Sequence, residues 1–517
     1  MSRWIFTTVV ICAVVPLAMV TGCREPFGES SDPCKDLTGL PLIDLFISSS
    51  QRVSASADIP AHCQVEGVIE TEIQFELLLP EPSEWNGRFL MGGGGGFVGT
   101  VQNQARTLYG HGGGPLQRGY ATVGTDTGHV GGGIEASWAL SNPTRQMNWG
   151  HRAVHLTAEA AKSIIAEYYG RAADHSYFVG CSRGGGQAMM ESQRYPDDFD
   201  GIVAAAPAYN WTAFTAGFLQ AQQEMFPNGG SDDPVVRKET LELLGSSILS
   251  ACDAEDGVTD GVMTDPRRCS FSPSDLPMCS DDVAGDGCVT RQEMAAIEAV
   301  YNGPTVDGES IFFGFNYGGE SDRGGWDSWV VSSERQRARG NPNAQYGFGT
   351  EFYKYFVFED PAWDYTTYDF STWREDVARI SPVVDATETD LSVFRDSGGK
   401  IIYWTGWSDL ALTPLGTIDY YEQLEVVDSA ARDYARLYML PGVLHCSGGP
   451  GPDQVDWVEA IRAWVEDGDA PERLTASKLD SSGQTTLTRP VCPYPQLAVY
   501  DGIGDPTLES SFSCAVW

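Results

Sequence analysis

Two dipeptides, Cys181-Ser182 and His445-Cys446, each set a residue able to do nucleophilic or acid–base chemistry beside a cysteine. Paired cysteines hold their Cα atoms about 5.5–6 Å apart. A bond between Cys181 and Cys446 would therefore keep serine and histidine within the reach that a nucleophile and its general base require. The chemistry such a pair performs is acyl transfer: the serine attacks a carbonyl carbon, and the histidine takes its proton and later gives it to the leaving group. Around the serine, Gly180-Cys181-Ser182-Arg183-Gly184 fits the G-x-S-x-G pattern of a strand-to-helix elbow. Among 58 glycines the pentapeptide alone also fits an ordinary glycine turn, and its neighbours decide between the two.

Those neighbours are the elements that must position the chemistry. Ser176-Tyr177-Phe178-Val179 is β-prone, and Gln187 to Arg194 reads as a helix ending before Tyr195-Pro196. A sharp turn between them would expose the hydroxyl above a helix N-terminus, where backbone N–H groups favour a developing oxyanion. The orienting carboxylate of such a site follows a later strand, in the order serine, acid, histidine. Asp409 fits, since it follows the apolar run Ile401-Ile402-Tyr403-Trp404 and the turn Thr405 to Ser408. His445 is placed alike, after Arg436 to Leu440 and the breaker Pro441-Gly442. Asp419 and Glu422 are the rival acids, but they fall in a helical stretch from Gly416 to Leu424, and Asp409 could also be a turn or cap residue.

These residues, with Gln193-Arg194-Tyr195-Pro196, Asp198-Phe199-Asp200-Gly201-Ile202, Trp85-Asn86-Gly87-Arg88-Phe89, Thr125 to His129 and Met439-Leu440-Pro441-Gly442, resemble the tannase and feruloyl esterase family over nearly the whole chain. The resemblance implies an α/β class, namely an α/β-hydrolase core with a large inserted lid domain. It implies hydrolysis of esters of aromatic acids, with Ser182, Asp409 and His445 as catalytic residues. It also implies the disulfides Cys34 to Cys63, Cys181 to Cys446, Cys252 to Cys269, Cys279 to Cys288, and Cys492 to Cys514. The family shows a small residue after the serine and an arginine in the glycine run that follows. This chain has Arg183 and Gly186 instead, which bears on acyl preference rather than on the reaction.

The core is expected over 34–208 and 371–517, and the lid over 209–370, where glycines, four cysteines and acidic turns replace strand periodicity. Within the lid, Asp253 to Val262 carries three aspartates broken by glycines. Hard cations such as Ca²⁺ take six to eight oxygens from carboxylates and main-chain carbonyls. The spacing departs from an EF-hand and also fits an acidic solvated loop. The family's calcium loop implies that Asp253, Asp256 and Asp260 bind a structural ion through side chains, and Val258 and Val262 through carbonyls. The tract Gly92 to Gly96 follows a strand expected over Arg88 to Met91, and glycine there permits the close backbone approach a second oxyanion donor needs. The expected donors are the N–H of Gly95 or Gly96 and that of Arg183. Asp126 and His129 follow the strand Tyr120 to Val123 and are expected to have a structural role. His151 and His155 lie one turn apart in a helix expected over Trp149 to Tyr169, where solvent or a partner is a better reading than a metal.

Composition limits the alternatives. A chain of 517 residues exceeds one ordinary hydrophobic core, which suits a core with an insertion. A formal charge of −38 argues against nucleic acid, whose binding rests on Lys and Arg neutralising phosphates. The expected partner is a small aromatic ester, free or carried on a plant polymer. Residues 1–22 read as a signal peptide, with Arg3 before an apolar run. Val20-Thr21-Gly22-Cys23 resembles a bacterial lipoprotein box, so 23–33 would be a tether lipidated at Cys23 and the membrane would be met only through that anchor. A plain signal peptide giving a secreted or periplasmic protein is the alternative. Setting Cys12 and Cys23 aside leaves ten cysteines, an even number in an exported chain, and no C-x-x-C pair points to zinc. Rival functions are a terephthalate monoester hydrolase or other aryl esterase, a peptidase or amidase using the same residues, and an inactive surface binding protein.

Overall fold

The computed structural model describes residues 33–56, 59–106, 113–338 and 340–516. The signal peptide, Cys23 and nearly all of the tether expected over 23–33 lie outside the described residues. No described helix is long and apolar enough to cross a membrane.

Nine strands form one sheet: β1 (Leu45–Val53), β2 (His62–Ile69), β3 (Ile73–Pro80), β4 (Arg88–Gly92), β5 (Ala121–Thr125), β6 (His175–Ser182), β7 (Gly201–Pro207), β8 (Lys400–Gly406) and β9 (Ala435–Leu440). Their spatial order is β1-β2-β3-β5-β4-β6-β7-β8-β9. The first three pair antiparallel, β3 meets β5 antiparallel, and every pair from β5 to β9 is parallel. Parallel strands are covered on both faces, so their residues are apolar in both registers. Phe178, Ile401 and Tyr403 point into one core with helix α1 (Ala153–Tyr169). Tyr177, Val179, Ile402 and Trp404 point into the opposite core against Trp457, Ile461 and Trp464. Alternation along each strand thus feeds two layers.

The helix α1 begins at Ala153 rather than Trp149, because Asn148–Arg152 takes a wider π-helical turn. Val154, Ala158, Ala161, Ile164 and Ile165 repeat at helical spacing and are buried. The elbow helix α2 (Arg183–Arg194) starts earlier than its apolar pattern indicates, and Gly184 to Gly186 form its first turn. A Cβ on Gly184 would lie 2.1 Å from Oε1 of Gln104, so the helix can seat this closely only with a bare backbone there.

Between Pro207 and Lys400 no described strand joins the main sheet. This insertion includes α3 (Trp211–Met225), α4 (Lys238–Cys252), α5 (Arg291–Asn302) and α6 (Ala344–Phe352). Trp373, Val377, Ile380 and Val384, beyond residue 370, pack with Trp211 and Phe352 and also with Phe97 and Trp149. The chain then completes the sheet and adds α7 (Pro414–Val427), α8 (Trp457–Glu466) and two antiparallel ribbons. Disulfides join Cys34 to Cys63, Cys181 to Cys446, Cys252 to Cys269, Cys279 to Cys288 and Cys492 to Cys514.

Candidate active site

Ser182 sits between β6 and α2 with φ 64° and ψ −122°. Such a backbone costs on the order of 1–3 kcal/mol and persists only where its surroundings impose it. Here they do: Ala208 N–H donates to the Ser182 carbonyl at 2.9 Å, fixing the elbow to the end of β7. The Gln104 side chain grips the preceding residue, accepting from Cys181 N–H at 2.8 Å and donating to its carbonyl at 3.1 Å. Cys181 and Cys446 are 5.9 Å apart at Cα, which brings Ser182 and His445, one residue away on either side, to the same end of the sheet.

His445 Nδ1 meets Asp409 Oδ2 at 2.8 Å. The other oxygen of Asp409 accepts from the N–H groups of Ala411 and Leu412 at 2.8 and 2.9 Å. The carboxylate is buried and accepts three hydrogen bonds, which fix its orientation. Of the rival acids, Glu422 accepts instead from the Tyr494 hydroxyl, and Asp419 lies on α7. A buried aspartate bonded to Nδ1 leaves Nε2 as the histidine nitrogen able to exchange a proton with a serine.

Arg183 opens α2, so its N–H is among those with no intrahelical partner. In the glycine tract, Gly94 N–H donates to Gln187 Oε1 at 3.0 Å and Gly95 N–H to Gln102 Oε1 at 2.8 Å. Gly95 is thereby spent. Gly96 takes φ +56°, its N–H has no hydrogen-bond partner among the described residues, and it borders the cavity at Ser182. A Cβ there would lie 2.2 Å from the Gly133 carbonyl oxygen, so only glycine fits. Behind the tract, Gly99 N–H donates to the Asp126 carbonyl, and the Asp126 side chain accepts from Gln74 and Gly128. Burial pushes the Asp126 carboxyl up to about 7. His129 Nε2 meets the Phe97 carbonyl at 2.9 Å, and burial pulls this imidazole down to about 4. Both residues therefore brace the loop.

The cavity beside Ser182 is walled by Trp211, Phe214 and Phe218 of α3, Trp329, Phe348 of α6, and Leu412. Trp329 also stands edge-on to His445, with centroids 5.1 Å apart. The free space is about 20 Å³, room for one water by the usual threshold of about 10–15 Å³. An aromatic ring enters only when the walls contributed by the insertion give way. These aromatic residues carry no motif and escape sequence reasoning, as do Gln104 and Gln187. Their one signal is aromatic density in a segment without strand periodicity.

The aspartates of the insertion serve their own loop. Asp253 accepts from Asp260 and Gly261 N–H, Asp256 from Val258 and Thr264, and Asp260 from Val262 N–H and from Arg489 Nη2 at 2.7 Å. Among the described residues no three His, Cys, Asp or Glu side chains converge as metal ligands. The donor chemistry still suits a hard cation, because the loop offers three carboxylates, of which Asp260 alone bonds a guanidinium, and burial raises the pKa of Asp256 and Asp260. His151 meets the Tyr195 hydroxyl and His155 meets Asp198, so the two do not share a ligand.

Comparison with known proteins agrees with this architecture. The chain is 34% identical over 546 residues to an uncharacterised esterase of Xanthomonas campestris, covering 94% of this chain and 92% of the relative. It is 34% identical to the mono(2-hydroxyethyl) terephthalate hydrolase of Piscinibacter sakaiensis, with 89% and 86% covered. The crystal structure of an esterase from Aspergillus oryzae superposes with a TM-score of 0.82 at 25% identity, over 93% of this chain and 99% of that one. The family described as tannase and feruloyl esterase matches residues 57–515. With an elbow serine, a histidine–aspartate pair and a sheet shared with these esterases, the chain is a carboxylic ester hydrolase with an α/β-hydrolase core, and it belongs to the tannase and feruloyl esterase family.

Proposed function

We propose that this enzyme is an exported serine esterase that cleaves esters of neutral aromatic acids, of the feruloyl kind, through an acyl-enzyme. Ser182 attacks the ester carbonyl and His445 takes its proton through Nε2. Asp409 holds the imidazole tautomer and stabilises the imidazolium. The N–H groups of Arg183 and Gly96 receive the oxyanion. The alcohol leaves with the proton from His445, and water releases the acid by the same steps in reverse.

The observation that carries the substrate class is the wall of Trp211, Phe214, Phe218, Trp329 and Phe348 beside Ser182. None of the described residues bordering this cavity is charged. A ring bearing an ionised carboxylate, as in a terephthalate monoester, would lose its hydration with no counter-ion in return. A galloyl ring would bring more hydroxyls than a feruloyl ring, whose single phenol is flanked by a methoxy group, and the apolar wall would leave them unpaired. The test is a panel of kcat/KM values on purified protein: methyl ferulate, methyl benzoate, methyl gallate, a terephthalate monoester and the matching amides. Preference for the neutral esters is expected. Faster turnover of the terephthalate monoester, or comparable cleavage of amides, would overturn the assignment.

We further propose that Asp253, Asp256 and Asp260, with the carbonyls of Val258 and Val262, hold a structural Ca²⁺, which would add to the positive charge that Arg489 brings to the loop. The insertion is proposed to act as the lid. Five disulfides suit an oxidising compartment, and lipidation at Cys23 would anchor the enzyme to a membrane. Loss of radiolabelled palmitate on Cys23→Ala is the expected result, and equal labelling would refute the anchor.

A further inference from the structure

The side chain of Arg183 lies within the protein beside the elbow, with no exposed surface. Its Nη2 donates to the carbonyls of Trp149 and Gly150 at 2.5 and 2.6 Å, while Nε and Nη1 have no hydrogen-bond partner. No carboxylate touches it. Burial pulls the guanidinium down to about 9, and the more distant Asp385 offsets only part of that. Enclosing a cation this way costs several kcal/mol, and an apolar side chain of similar volume is commonly the more stable choice. Stability alone therefore gives no reason for an arginine here.

Its contacts supply one. Both carbonyls belong to the π-helical turn Asn148–Arg152, and the guanidinium also lies 4.1 Å above the Trp149 ring. That indole donates through Nε1 to the Gly96 carbonyl at 3.3 Å. Gly96 is the residue whose N–H remains available beside Ser182, and Phe97 N–H donates to the Gly133 carbonyl just beyond it. A continuous path runs from the first residue of α2 through Trp149 to the Gly96–Phe97 peptide, which directly follows the one whose N–H borders the serine. Gly186 is kept bare by the backbone beside it, since a Cβ there would lie 2.1 Å from the Ala208 carbonyl oxygen, while its 3.5 Å from Arg183 Nη1 is ordinary contact.

We propose that Arg183 is a positioning residue for the oxyanion hole: by its backbone it offers one donor, and by its side chain it locks Trp149, which anchors the carbonyl side of Gly96, the residue whose N–H offers the other. The inference rests on the reading of Ser182 as nucleophile. An oxyanion exists only after attack, so loss of the lock falls on the tetrahedral state and spares the ground state. A merely structural arginine would instead weaken everything the site does.

The experiment uses the full chain with Arg183→Met, Arg183→Lys and Trp149→Phe, assayed on methyl ferulate. Phenylboronic acid serves as a mimic of the tetrahedral adduct on serine, and ferulate as a ligand of the aromatic wall. Expected for Arg183→Met is a fall in kcat of about 10- to 100-fold, below the 10²–10³ of deleting a donor outright. KM and ferulate affinity should stay within about threefold, and boronate affinity should fall in step with kcat. Trp149→Phe should give the same split, the double variant should be no worse than the poorer single, and Arg183→Lys should recover part of the loss. A folded Arg183→Met with unchanged kcat, or with ferulate and boronate affinity lost equally, would overturn the proposal. Should that variant not fold, the split in Arg183→Lys and Trp149→Phe decides, and its absence there overturns the proposal as well. Turnover persisting in Ser182→Ala would instead overturn the underlying assignment of the nucleophile, a result distinct from any of these.

Discussion

Replacing Cys181 and Cys446 together by alanine tests whether the bond beside the elbow is part of the catalytic device. The bond closes a sequence separation of 265 residues, against 22 for Cys492 to Cys514. Chain entropy then assigns about 5.5 kcal/mol to the first and about 3.5 kcal/mol to the second. With an unfolding entropy near 1 kcal/mol/K for a chain this long, the melting temperatures should fall by about 5 and 3 °C. Stability thus separates the two variants weakly. Turnover should separate them strongly, because the bond holds the strand bearing Ser182 to the loop bearing His445, and a displacement of about 1 Å costs roughly a hundredfold. Initial rates on methyl ferulate are to be compared at a temperature where circular dichroism shows both variants folded. A fall in kcat on the order of a hundredfold is expected for the 181/446 variant, and less than threefold for the 492/514 variant. Full turnover in the folded 181/446 variant would refute a catalytic role, and free thiols at these positions in active enzyme would refute the bond.

Ser182→Ala should abolish ester hydrolysis with the fold retained, and Asp409→Asn should lower kcat by about 10⁴ by losing the correct histidine tautomer; greater damage from Asp419→Asn would show the acid to be elsewhere. Asp256→Asn with Asp260→Asn should remove bound Ca²⁺ and erase the fall in melting temperature that chelation causes in the wild type, by mass action. Metal analysis finding no Ca²⁺ in the wild type, with no response to chelator, would refute the site. Burial raises the folded-state pKa of Asp126 from 3.8 to about 7, so the folded state keeps a proton that the unfolded state has lost. This group therefore favours folding less and less as pH rises from about 4 to 7. Asp126→Asn should flatten that decline, gaining on the wild type toward pH 8, and a difference in melting temperature independent of pH would count against the buried neutral acid.

The residues proposed to react are legible because each stands beside a marker of its own: a cysteine, a glycine elbow or a strand followed by a breaker. The strands around them were legible too, since apolar runs such as Ile401 to Trp404 survive burial on both faces. The aromatic wall was not, because Trp211, Trp329 and Phe348 come from separate stretches whose only relation is where the insertion folds back. The choice between Gly95 and Gly96 was equally hidden, for it turns on the Gln102 side chain capturing one N–H. The start of α2 was misread because glycines that signal a turn can also open a helix where only bare backbone fits. The course of the Arg183 side chain is hidden as well, as nothing in the pentapeptide tells that the guanidinium turns inward.

The Cys181 to Cys446 bond also changes what it means to break this chain. Everything between Ser182 and His445, the insertion included, lies on a covalent ring closed by two sulfurs. A protease that nicks the insertion once, at an exposed point such as Asp233, which no shorter disulfide spans, opens the ring without releasing a fragment. The two pieces stay joined next to the reacting serine and run as one molecule until a reductant is added. The fold thereby tolerates a single cut in its largest excursion from the sheet, and two cuts are needed before any part of that excursion is lost.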